Sequence, residues 1–123
     1  MCSDNRTDPS IATFEENLKK ATTEMLLLHL LSRKPCYIGE LTEQLRSTSG
    51  EILQIVFPYA AIYRLLQAGH IAETQKLIAP DGRRRQYYAI TQTGLGHLQH
   101  LLATYTKFSK GVANLLQEGE DPN

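Results

Sequence analysis

A chain of 123 residues holds one hydrophobic core and leaves no room for a second full domain. With 41% hydrophobic and 21% charged residues it has a globular composition, which excludes wholesale disorder. Its 13 basic residues balance its 13 acidic ones, so an evenly basic nucleic-acid binder is excluded and the placement of charge carries the information.

Residues 1–10 are mostly polar and read as a flexible arm. They show no secretory signal, and cytoplasmic residence is expected. Ser10 can cap a helix in which Ile11, Phe14, Leu18, Ala21, Met25 and Leu28 recur at three- and four-residue steps. The first half of this helix is a narrow seam. The second half adds Leu26, Leu27, Leu30 and Leu31, becomes apolar on more than one side and must be buried. Its densest run, Met25 to Leu31, is interrupted by His29 and falls far short of the roughly 20 residues of a membrane span. Pro35 stops the helix after about Lys34.

A second helix is predicted over 38–46, with Ile38, Leu41 and Leu45 on one face and the run Ser47-Thr48-Ser49-Gly50 as its end. Pro58 opens a third, with Ile62, Leu65 and Leu66 inward and Gly69 as its left-handed terminator. Residues 71–78 and 84–90 are strand-like and joined by Ala79-Pro80-Asp81-Gly82, a hairpin reversal with Arg83, Arg84 and Arg85 at its tip and base. Thr91 or Thr93 caps a last helix whose stripe is Leu95, Leu98, Leu101, Leu102, Tyr105, Phe108, Val112 and Leu115, close to a coiled-coil seam. Residues 118–123 read as a flexible tail. Cys2 and Cys36 read as free thiols.

The expected fold class is therefore α+β, mostly α: a winged helix-turn-helix over 11–90, with an N-terminal helical extension and a dimerisation helix over 91–117. In such a fold the third helix suits the major groove, and a basic hairpin, the wing, suits phosphates or a narrow minor groove. Residues 64–90 fit this, since Arg64, Lys76, Arg83, Arg84 and Arg85 outnumber Glu73 and Asp81 while both flanks are net acidic. Gln54, Tyr59, Tyr63 and Gln67 are the polar candidates near the reading helix. Two readings stay open for several of these residues. Tyr59 can meet a phosphate or be half-buried, and Arg64 can reach DNA or pair with an acid such as Glu43. The wing arginines can meet phosphates, which would relieve their mutual repulsion, or form a solvated turn. Tyr88, alternating with Tyr87, is expected in the core.

His97 and His100 share a helical face, but nothing near them completes a metal site, and they are expected to be exposed. No nucleophile motif, P-loop or dinucleotide fingerprint is present. Neither an enzyme nor a cofactor is expected.

Three segments resemble the PadR-like family of transcriptional regulators, over about Thr23 to Leu116. "TEMLLLHLLSRKPCYIGELTEQL" is similar to the family's opening Leu-rich helix, proline turn and aromatic-led second helix. "YAAIYRLLQAGHI" is similar in its Tyr59, Ile62, Arg64, Leu65, Gly69 and Ile71. "DGRRRQYYAITQTGLGHL" matches the family's wing and the start of its dimerising helix through Gly82, the basic run, Tyr88, Thr91, Gly94 and Leu98. Ile55-Val56-Phe57-Pro58 departs from the small polar residues that often precede the family's recognition-helix Tyr.

The resemblance implies a sequence-specific DNA-binding regulator, most often a repressor released by a phenolic or small hydrophobic effector. The apolar seam adds a homodimer, with Phe14, Leu18, Leu98, Leu102, Tyr105, Phe108 and Val112 at its interface. A twofold dimer with one reading helix per subunit favours an inverted-repeat operator on double-stranded DNA. The neutral net charge and the apolar run 55–58 keep a rival reading open, a winged-helix module that grips another protein.

Overall fold

The structure, a computed structural model, describes residues 8–55 and 58–118. Residues 1–7 of the expected arm, Cys2 among them, Val56 and Phe57 of the apolar run, and residues 119–123 of the expected tail lie outside the described residues.

The elements follow in the order α1 (Pro9–Arg33), α2 (Ile38–Thr48), α3 (Pro58–Gln67), β1 (Ile71–Ile78), β2 (Arg84–Ile90) and α4 (Gln92–Glu118). This is the α+β, mostly helical, winged-helix arrangement. Three boundaries differ from the sequence reading. Asp8, not Ser10, caps α1: its Oδ1 accepts from the Ser10 amide at 3.0 Å and the Ser10 hydroxyl at 2.8 Å. Pro9 takes the first helical position, where its missing N–H costs nothing, so Pro9 and Ser10 belong to α1 rather than to an arm. α2 runs two residues past Arg46, because serine and threonine weaken a helix without blocking it as proline does. Glu118, expected in the tail, is the last residue of α4.

The core is built by the second half of α1 (Met25, Leu27, Leu28, Leu31), with Leu41 of α2, Ala61, Ile62 and Leu65 of α3, Ile71, Tyr88, Leu98 and Cys36. Burial pushes the Cys36 thiol up to about 11, with Glu40 adding to the shift, so it is an inert free thiol. The first half of α1 stands clear of this core, with Phe14 62% exposed. Leu98, expected on the dimer seam, is only 5% exposed and belongs to the core of the protomer. It lies where α4 begins to pack on the domain; the exposed seam starts one turn later, at Leu102.

A tight junction joins the α3–β1 turn to the start of α4. Gly69 adopts φ 77°, as expected of a left-handed helix terminator. Thr91, the cap of α4, accepts from the Gly94 amide at 3.0 Å, donates its hydroxyl to the Gly69 carbonyl at 2.6 Å, and donates its N–H to the His70 carbonyl at 3.0 Å. Gly94 lies directly on that His70 carbonyl, leaving no space for a Cβ. The His70 and His97 rings stack at 4.1 Å, 12° from parallel. His97 is therefore half-buried rather than exposed, whereas His100 is exposed.

Gly94→Ala should thus destabilise the protein. Its methyl would collide with backbone at His70 and stand 2.8 Å from Ile90 Cγ1, and overpacking of this kind costs about 1–3 kcal/mol, read as a lower urea midpoint. The His70 imidazole is held below its ordinary pKa of 6.5, first by burial and then by His97, with Glu24 opposing. Its Nδ1 is buried without a partner. Below pH 6.5 the unfolded chain binds this proton more readily, so stability present above that value is lost as pH falls toward the depressed folded value. The melting temperature should drop between about pH 7.5 and about pH 5.5, and His70→Asn should flatten that drop. An unchanged pH profile in His70→Asn would assign the acid sensitivity elsewhere.

Candidate nucleic-acid interface

β1 and β2 pair antiparallel, with Ile71 opposite Ile90 and Glu73 opposite Tyr88. Between Glu73 and Lys76 the register slips, and the outer part pairs Lys76 with Gln86, Leu77 with Arg85 and Ile78 with Arg84. Such a bulge adds one residue to β1 and increases local twist. Apart from Ile71 the whole of β1 is exposed. The hairpin is held from the other side: Cys36, in the α1–α2 turn, exchanges both backbone hydrogen bonds with Tyr88, at 3.1 and 2.8 Å. Tyr88 is buried, as its alternation with Tyr87 predicts.

At the tip, Asp81 Oδ1 accepts from the Arg83 amide at 2.9 Å. Asp81 Oδ2 receives Nε and Nη2 of Arg85 at 3.2 and 2.5 Å. That guanidinium holds the Asp81 carboxyl below the usual carboxylate range, and the Arg83 amide adds to the effect. Arg85 also lies 5.6 Å from the centroid of the Tyr37 ring, and Tyr37 meets Tyr87 edge-on at 5.4 Å. Arg83 and Arg84 are exposed, and among the described residues neither has an ion-pair partner. The three wing arginines are therefore not equivalent.

Tyr59, Tyr63 and Gln67 lie along the exposed side of α3, with Tyr59 73% exposed and so far from half-core. Arg64 has an internal partner, but it is Glu24 of α1 rather than Glu43: Nε donates to Glu24 Oε2 at 2.6 Å, while Glu43 pairs with Arg46. Five of the eight candidates fall into two groups, and Tyr63, Gln67 and Arg83 line neither. Tyr59, Arg84 and Arg85 share a cleft of about 190 Å³ between the wing, α3 and the start of α2, together with Tyr37 and Gln86. Gln54 and Arg64 line a separate groove against α1, beside Lys19 and Lys20. The sequence reading missed Tyr37, Gln86, Lys19 and Lys20. Tyr37 carried no local signal, because its partners lie about fifty positions away on β2.

Three helices, a hairpin tied back to the first turn and a closing helix form a winged-helix domain, and residues 27–100 match the family described as "Transcriptional regulator PadR-like family". The chain belongs to the PadR-like family of transcriptional regulators. The match spans the buried half of α1, both following helices, the wing and the first turns of α4.

Solved PadR-like structures agree. A PadR family transcriptional regulator from Eggerthella lenta DSM 2243 is 26% identical, with a TM-score of 0.76, over 92% of this chain and 97% of its own. A PadR-like transcriptional regulator from Bacillus cereus ATCC 14579 is 27% identical, with a TM-score of 0.71, over 82% of this chain and 97% of its own. A PadR family regulator from Clostridium difficile R20291, 22% identical with a TM-score of 0.65, shares the fold over 77% of this chain and 98% of its own. Among curated proteins, none matches. Among the described residues of this PadR-like chain, no three His, Cys, Asp or Glu side chains are grouped to hold a metal, and no helix is long and apolar enough to cross a membrane.

Proposed function

We propose that this PadR-like protein is a homodimeric, sequence-specific DNA-binding repressor that binds an inverted-repeat operator and is released by a small hydrophobic or phenolic effector. The observation that carries the reading is the shared cleft of Tyr59 and Arg84, which makes the exposed face of α3 continuous with the wing. A helix fills a major groove about 12 Å wide, so Tyr59, Tyr63 and Gln67 meet base edges while Arg83 and Arg84 reach the flanking phosphates. Gln54, Arg64, Lys19 and Lys20 form a second polar edge beside α3.

Dimerisation is supported by the apolar side chains that the protomer leaves in water. Ile11, Phe14 and Leu18 on α1, and Leu102, Tyr105, Phe108, Val112, Leu115 and Leu116 on α4, are all exposed, Phe108 to 70%. A monomer rarely exposes so long an apolar stripe, and a second copy with the same stripe covers it by twofold symmetry. Effector binding is supported by an apolar cleft of about 400 Å³ lined by Leu18, Met25, Leu26, Leu53 and Tyr105, a size that suits a small aromatic molecule. Leu18 and Tyr105 belong to both the cleft and the proposed interface, so an occupant would bear on how the two copies meet.

Replacing Leu102 and Tyr105 together with Glu should give monomers by light scattering. An unaltered protein that is monomeric at tens of micromolar would contradict the dimer. On duplex DNA, log affinity should fall steeply with log salt, and footprints should show two half-sites about one helical turn apart. Tyr59→Ala should narrow the gap between operator and random duplex more than it alters the salt slope. Binding that ignores salt, or the absence of duplex binding altogether, would move the reading to a protein-interaction module.

A further inference from the structure

We infer that Arg85 is a positioning residue: held between Asp81 and the Tyr37 ring, it fixes the wing on the α1–α2 turn, and the phosphate contacts of the wing fall to Arg83 and Arg84. The inference rests on the DNA-binding reading above for its second half only.

The geometry separates the three side chains. Arg85 and Tyr87 are two apart on β2 and so share a face, and the Tyr37 ring sits against both. Arg84 alternates to the other face at the start of β2, although it borders the same cleft as Arg85, and Arg83 belongs to the turn. Only Arg85, of the three, spends two donors on one carboxylate oxygen, a charge-assisted pair, while its guanidinium carbon also lies over an aromatic ring, 5.6 Å from the centroid. To meet a phosphate it would have to release Asp81, and the exposed carboxylate would then repel that phosphate. Paired, the two charges cancel where the DNA backbone would pass. Asp81 meanwhile closes the turn through its other oxygen, on the Arg83 amide. One carboxylate thus shapes the tip that presents Arg83 and, through Arg85 and Tyr37, ties the tip to the base of α2. Gly39 allows this seat, since a Cβ there would stand 3.0 Å from Tyr37 Cε2.

The test compares two sets of changes. Asp81→Asn with Arg85→Gln removes the pair without altering net charge, and Asn can still accept from the Arg83 amide. Arg83→Gln with Arg84→Gln removes the two unpaired cations. In a salt titration on duplex DNA, the first variant should bind several-fold more weakly with an unchanged slope. The second should show a slope shallower by about one unit for each phosphate left without its arginine.

In the free protein, hydrogen exchange at the Ala79 and Gly82 amides should speed up in Asp81→Asn/Arg85→Gln and in Tyr37→Leu. Combining the two changes should add little, and the Arg83/Arg84 variant should exchange as the unaltered protein does. A slope lowered by about one in Asp81→Asn/Arg85→Gln would make Arg85 a phosphate contact and overturn the inference. So would wing exchange rates that ignore both Arg85 and Tyr37. If the unaltered protein binds no duplex, the function proposed above fails, and the exchange rates alone decide the role of Arg85.

Discussion

A two-stranded hairpin is marginal in water, and the wing of this protein has only two strands. What makes it a fixed part of the molecule is the reciprocal pair of backbone hydrogen bonds between Cys36 and Tyr88. Cys36 sits just after Pro35, in the turn that leaves the buried half of α1, and Tyr88 carries the other end of the pair into the core. With β2 anchored there, β1 needs to bury only Ile71 and can leave its remaining residues to solvent. The direction of the wing, and hence the relation of Arg83 and Arg84 to Tyr59 on α3, follows from that bridge.

A second constraint couples this face to the far end of the molecule. The turn that ends α3 is also the platform on which α4 begins, because the Thr91 hydroxyl both caps α4 and donates to the Gly69 carbonyl. Gly94 permits that approach, and the His70–His97 stack covers it. Helix α4 therefore leaves the domain in a direction set by the end of α3. In a dimer formed through α4, that direction would set the spacing of two reading helices. The apolar cleft between α1 and α4 lies on the same lever.

Much of this was legible from periodicity and punctuation. The bounds of β1 and β2, the start of α3 at Pro58 and the left-handed Gly69 follow from residues whose backbone preferences are strong and local. Where several residue types serve equally, the reading slipped. Asp8 and Ser10 are both good caps, and only the geometry of Pro9 chooses between them. The stripe of α4 is continuous in sequence, yet Leu98 turns into the protomer while Leu102 and Phe108 face out, because periodicity reports a face and not what covers it. Arg64 and Arg85 show the same limit for charge. Arg64 pairs with Glu24, forty positions away, and Arg85, beside its near neighbour Asp81, also meets the distant Tyr37 ring, so a basic residue counted toward the nucleic-acid surface is in each case engaged within the fold.

On a neutral chain, binding to a polyanion depends on how few cations remain free and where they stand. The central claim is that α3 and the wing act as one DNA-facing surface, with α4 on the opposite duty of pairing subunits. The most direct measurement is a backbone amide chemical-shift titration with duplex DNA that carries the operator. The account predicts the largest changes at Tyr59, Tyr63, Gln67, Arg83 and Arg84, with residues 102–115 of α4 unmoved. Shifts concentrated on α4, or confined to one of α3 and the wing, would contradict it.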